Sequence, residues 1–227
     1  MSKNIEENED LIVDVQEVYS KTEDFIEKNK TVVIAVVLGV ILVVGGFFGY
    51  KKLIIAPMEY EAQSDMFMAE KYFSQDSLQK AINGDGLNAG FIDIVDEYSG
   101  TKAANLAHYY LGICYINTGE YEFAIDELKQ FSSNDVMIST VALGSIGDSY
   151  MELGDTKEAI SYYEKAIENG ENKLTSPIYL IKAGFAYEDL QDFSEAEAKY
   201  KALKANYPDS REAQTIDKYI ARAESLK

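Results

Sequence analysis

The chain has 227 residues and a formal charge of −18, from 39 acidic and 21 basic side chains. That balance disfavours nucleic acid and anionic membrane surfaces as partners and favours a basic protein domain. The single cysteine cannot form an internal disulfide, and the single histidine has no second metal-type ligand nearby in sequence.

Residues 1–30 carry nine acidic and four basic side chains and read as an acidic cytoplasmic tail. Residues 31–50, TVVIAVVLGVILVVGGFFGY, then run without a charge. A helix of that length reaches about 30 Å, the thickness of a hydrocarbon core. With the juxtamembrane segment to residue 56, this stretch is expected to be an uncleaved transmembrane anchor. A signal peptide fits poorly, because the preceding segment is too long and acidic and Phe47, Phe48 and Tyr50 leave no small-residue cleavage pair.

Lys21, Lys28 and Lys30 precede the span and Lys51 and Lys52 follow it. This positive-inside balance, three against two, places the N-terminus in the cytoplasm and the C-terminal part outside. Gly45 and Gly49, widened by Gly46, form a small-residue patch where another membrane helix could approach, unless they are ordinary anchor composition.

Residues 57–227 are expected to form one helical domain. Leu111-Gly112, Tyr115, Gly119, Ala124 and Leu128 recur as Ile146-Gly147, Tyr150, Gly154, Ala159 and Tyr163. They recur again as Ala183-Gly184, Tyr187, Gln191, Ala196 and Tyr200, with a weaker upstream copy through Ala69, Tyr72 and Ala81. The glycines before each tyrosine let a first helix approach its mate, and Gly119 and Gly154 permit a left-handed turn between the two. One such pair cannot bury its apolar face alone, so stacked pairs and a continuous solenoid core are expected. The segment GDGLNAG at 84–90 interrupts the second helix of the first copy, which resumes in FIDIVDEY; it is read as a structural loop, since calcium-loop ligand spacing is absent.

No catalytic constellation, cofactor loop or metal site is expected. His108 and Cys114 fall at repeat packing positions, and carboxylate pairs such as Asp126-Glu127 and Glu188-Asp189 belong to an acidic helical surface.

The repeating positions resemble the tetratricopeptide repeat family over residues 58–226, most strongly at 105–138, 140–173 and 177–210. Pro208 matches the helix-ending proline of that pattern, and Asp209-Ser210 is expected to start a terminal helix. His108 stands where the family favours tryptophan, and Gln191 replaces the turn glycine. The resemblance implies an all-α superhelical solenoid of three or four pairs behind the anchor, with a concave protein-binding groove. The first-helix geometry of the family directs Met66, Phe73, Tyr109, Ile113, Asn117, Asp148, Met151, Glu152, Ile181, Phe185 and Glu188 into that groove. Gln63, Glu70, Leu106, Val141, Ile178 and Asp189 accompany them, unless the terminal helix covers some of these positions. The mixture of apolar and acidic side chains suits a peptide segment or helix with apolar anchors and basic edges.

The complete layout also resembles the YfgM-type inner-membrane proteins. That resemblance implies a bacterial inner-membrane protein with a periplasmic repeat domain, an ancillary subunit joining the Sec translocon to a membrane-anchored peptidyl-prolyl isomerase-like chaperone. The alternatives are a scaffold of another envelope assembly or secretion machine, and a chaperone holding unfolded exported chains directly.

Overall fold

The computed structural model describes residue 23 and residues 25–227; Lys21 and the rest of the acidic tail at 1–22 lie outside the described residues. The chain divides into two units, Met1–Ala56 and Pro57–Lys227.

The first unit is organised around helix α1 (Lys30–Tyr50), followed by a π-helical turn (Lys51–Ile55). No residue of α1 is buried, and a side chain added at Gly45, Gly46 or Gly49 would meet nothing within 4 Å. The helix is long and apolar enough to cross a membrane. At 1.5 Å per residue its length is about 30 Å.

The second unit is all-α. Helix α2 (Ala56–Ser74) is followed by α3 (Leu78–Asn83) and α4 (Phe91–Glu97), which share the role of its mate. Three regular pairs come next: α5 (Lys102–Thr118) with α6 (Tyr121–Gln130), α7 (Val136–Glu152) with α8 (Thr156–Glu168), and α9 (Ser176–Asp189) with α10 (Phe193–Asn206). Helix α11 (Ile216–Leu226) closes the stack. The terminal helix starts later than expected: Ser210 accepts from the Ala213 amide, a 3-10 turn occupies Glu212–Thr215, and α-helical bonding begins only at Ile216.

The four pairs share one turn. Asp76, Gly119, Gly154 and Gln191 all have positive φ, between 55° and 82°. The amide one residue later donates to the carbonyl of Tyr72, Tyr115, Tyr150 and Tyr187 respectively, at 2.8–2.9 Å. Glycine adopts that backbone freely, whereas Asp76 and Gln191 adopt it at a steric cost. Asp76 is the turn residue of the first pair, which the weaker sequence copy does not reveal.

Close approach within each regular pair depends on a glycine facing a large side chain. A Cβ on Gly112 would overlap Leu128, one on Gly147 would overlap the Tyr163 ring, and one on Gly184 would overlap the Tyr200 ring. Burial then runs through the stack. Phe91 and Ile94 pack with Ala103, Ala107 and Leu111; Ile125 and Leu128 pack with Ala142 and Ile146. Ala159, Ile160 and Tyr163 pack with Tyr179 and Ala183, and Leu180 and Tyr200 pack with Ile216 and Ala223.

The 84–90 segment is a loop closed on itself. The Asp85 carboxylate accepts from the Tyr72 hydroxyl at 2.5 Å, the Asn88 amide at 2.7 Å and the Leu87 amide at 2.9 Å. The Tyr72 hydrogen bond, followed by those from Asn88 and Leu87, holds its pKa well below the usual carboxylate range. Those donors satisfy the carboxylate without a cation.

Candidate functional site

First helices present one edge to the concave side of a stacked solenoid, so a groove there is lined by residues at similar positions of successive pairs. A concavity of about 460 Å³ is lined by Ile116 of α5, Tyr121 of α6, Asp148, Met151 and Glu152 of α7, Tyr163 of α8, and Lys182 and Phe185 of α9. Four expected groove residues meet here: Asp148, Met151, Glu152 and Phe185.

Asp148 organises the polar part. Its Oδ1 accepts from the Tyr163 hydroxyl at 2.8 Å, and the Lys182 ammonium lies 2.6 Å from Oδ2 and 2.7 Å from Oδ1. Burial first, and then the Asp148 charge, push the Tyr163 hydroxyl far above the ordinary tyrosine range, so it stays a donor. Glu152 and Met151 are half-buried or more open, which leaves a second carboxylate beside an apolar thioether and the Phe185 ring. This arrangement can grip an apolar anchor and a neighbouring cation; it contains no nucleophile paired with a base.

Lys182 and Tyr163 are groove residues that the sequence reading misses. A signal exists for Lys182, which stands one helical turn before Phe185, the residue that matches Asp148 when Gly147 is aligned with Gly184, and so lies on the same helix face. Tyr163 stands out in the sequence only through its place in the recurring pattern.

Other expected groove residues are placed elsewhere. Met66 is a correction: it is 5% exposed and belongs to the core between α2 and the helices packed on it, because its α2 face is the one carrying Ala62 and Ala69. Phe73 and Tyr109 are half-buried against rings, Phe73 at 5.1 Å from Tyr110 and Tyr109 at 5.2 Å from Phe131. Ile113 is half-buried, and Asn117 donates to its carbonyl at 2.9 Å. Ile181 packs into the apolar cluster that contains Ile216 of α11. Glu188 is taken by Arg222 of α11, whose Nε donates at 3.2 Å, and Tyr219 of α11 stacks edge-on to Phe185 at 5.0 Å. The terminal helix therefore occupies the end of the groove formed by α9.

The accompanying positions include one further structural link: Asp189 accepts from the buried Thr156 hydroxyl at 2.7 Å. His108 Nδ1 lies 2.6 Å from the Glu127 carboxylate, a link between α5 and α6. Cys114 is fully buried, and desolvation pushes its thiol up to about 12, so it is protonated and unreactive at neutral pH. Among the described residues, no three metal-type side chains cluster.

Two family models describing the tetratricopeptide repeat match residues 141–169 and 179–210, which fall on α7–α8 and α9–α10. Solved structures share the fold. The kinesin light chain TPR-like repeats of Podospora anserina are 15% identical with a TM-score of 0.54, covering 73% of this chain and 86% of that one. A crystal structure of MamA protein is 17% identical with a TM-score of 0.55, covering 73% of this chain and 87% of that one. No curated protein matches the sequence. Tetratricopeptide repeats act as protein-interaction scaffolds rather than catalysts. The shared turns, the glycine-to-aromatic pairing and both family matches coincide on α7–α8 and α9–α10, and the second unit has the fold of a tetratricopeptide-like solenoid.

Proposed function

We propose that the chain is a membrane-anchored scaffold, an ancillary subunit that links the Sec translocon to a periplasmic, membrane-anchored peptidyl-prolyl isomerase-like chaperone. In this reading α1 crosses a bacterial inner membrane with the N-terminus in the cytoplasm, and Gly45, Gly46 and Gly49 meet a partner membrane helix. The supporting observation is the groove, where Met151 and Phe185 stand beside Asp148 and Glu152. Such a surface takes an apolar side chain next to a lysine or arginine of a folded partner. The open face of the three glycines and the acidic balance of the exposed parts agree with a lateral membrane contact and a basic partner.

Crosslinking of the full chain in native membranes, followed by mass spectrometry, tests the proposal. Enrichment of Sec channel subunits and an anchored chaperone is expected, with loss of the channel subunits in a Gly45→Leu, Gly49→Leu variant. Capture of a different envelope machine in their place would move the scaffold to that assembly. Broad capture of unfolded exported chains would make it a holding chaperone.

A further inference from the structure

The shared turn supplies a register for comparing the first helices of all four pairs. Counted back from Tyr115, Tyr150 and Tyr187, the positions four and eight residues earlier are Leu111 and Ala107, Ile146 and Ala142, and Ala183 and Tyr179. All six are buried, and they pack against the second helix of the preceding pair: α4, α6 and α8 respectively. Twelve residues back, Ala103 and Thr175 are buried too.

The same count from Tyr72 gives Met68, Ser64 and Tyr60 on α2. There the face is open: Tyr60 is 79% exposed and the adjacent Phe67 is 63% exposed, Ser64 is exposed, and Met68 is half-buried. A surface that is covered by a helix at every later pair thus stands uncovered on α2, and it carries two large aromatic rings.

Its borders are acidic. Glu59 and Glu70 lie along one side of this stripe and Glu61 and Asp65 along the other, by helical spacing. Residues 57–102 hold nine carboxylates and three lysines. Among the described residues of the second unit, every ion pair lies at or beyond His108, so the carboxylates of the first pair lack a cationic mate. Glu61, Asp65 and Glu97 all act on Tyr98; the Asp65 hydrogen bond first, then burial and these charges, push its hydroxyl up to about 12.

We propose that this face of α2 docks an amphipathic helix of a partner protein, seated where a preceding second helix would lie. Its apolar stripe covers Tyr60 and Phe67, and lysine or arginine side chains on its edges meet Glu61 and its neighbours. A helix is the occupant because the register-matched faces of α5, α7 and α9 each bury against one. Basic edges follow because, among the described residues, these carboxylates have no ion-pair mate: Glu59 accepts only from the Gln63 side chain and the Lys102 amide, and Asp65 from the Tyr98 hydroxyl. A second copy of the chain would bring the same carboxylates against themselves, and residues 1–30, with nine acidic and four basic side chains, have the same sign. This surface is separate from the concave groove, and the inference stands whatever occupies that groove.

The test replaces Phe67 with the photo-crosslinker p-benzoylphenylalanine in the full chain in native membranes, with Phe123, exposed on α6, as the control position. Sequencing of the crosslinked peptide is expected to find one segment of another polypeptide with helical apolar spacing and flanking lysine or arginine, absent from the control. Glu61→Lys is expected to lower the yield about threefold, as reversal of an exposed charge pair does. Adducts with a second copy, with lipid, or with an acidic segment would overturn the proposal. So would a yield equal to the control or insensitive to Glu61→Lys.

Discussion

Lys182 Nζ lies 2.6 Å from Asp148 Oδ2, so an ammonium on the third regular repeat neutralises a carboxylate on the second at the centre of the groove. Both side chains are about a third exposed, which makes the pair worth about 0.5 kcal/mol of stability. Lys182→Met is therefore expected to leave the melting temperature nearly unchanged while making the groove more negative. Binding of a basic peptide to the full chain, followed by fluorescence anisotropy, should tighten in this variant and weaken in Asp148→Asn. Equal affinity in both variants would separate the groove from basic ligands.

The glycine facing Tyr200 has little room to change. Gly184→Ala places a methyl group into the Tyr200 ring, a fully buried side chain that cannot swing away. Overpacking of this kind costs about 1–3 kcal/mol. Urea denaturation of the full chain in detergent should show a lower midpoint, and an unchanged midpoint would mean that α9 and α10 separate at little cost.

Gln191 offers the reverse case. It holds the turn at φ 60°, the conformation that Gly119 and Gly154 adopt without a Cβ. Gln191→Gly should stabilise by about 0.5–1 kcal/mol, the relief of left-handed strain exceeding the added chain entropy. A falling urea midpoint in this variant would show that the glutamine side chain contributes more than its strain costs.

The Tyr200 hydroxyl is buried and meets no partner at full hydrogen-bond geometry, although burial first, and then the Glu188 carboxylate beside it, raise its pKa above the ordinary tyrosine value. An unmatched polar atom inside a core is a cost rather than a contribution. Tyr200→Phe keeps the ring against Gly184, Phe185 and Tyr219, so its midpoint should equal or exceed that of the parent. A loss above about 1 kcal/mol would show the hydroxyl to be hydrogen-bonded.

Alkaline pH should destabilise the second unit. Burial raises the pKa of Cys114 to about 12, and desolvation likewise raises Tyr179 and Tyr163 above the ordinary tyrosine value. The unfolded chain then loses these protons at lower pH than the folded one. Their contribution is complete below the unfolded values and declines as pH rises from about 9 toward the folded values. Urea midpoints between about pH 8 and pH 11 should fall, and Cys114→Ala should make the decline shallower. A flat profile would mean that these groups ionise as easily folded as unfolded.

Recurrence makes the regular pairs legible in the amino-acid sequence. Gly112, Gly147 and Gly184 are expected to face a second helix, and each does, because a missing side chain has one use in that position: letting a neighbour in. The first pair is less legible. Its turn uses Asp76, a residue with no glycine signature, and its second helix is split around a loop fastened by Asp85. The groove is legible in part, since spacing on one helix assigns a face but does not say what packs on it. Met66 has the spacing of a groove residue, yet the face it shares with Ala62 and Ala69 turns into the core.

The order of residues alone determined the charge-free stretch at 31–50, the acidic balance and the period of the repeats, because none of these needs a distant contact. The tertiary structure decided which expected groove residues are free. It brought Lys182 to Asp148 across 34 positions, laid Tyr219 and Arg222 over Phe185 and Glu188, and left Tyr60 and Phe67 uncovered. Each of these depends on how one helix stacks on another, and stacking is set by side chains distant in sequence that meet only when the solenoid is complete.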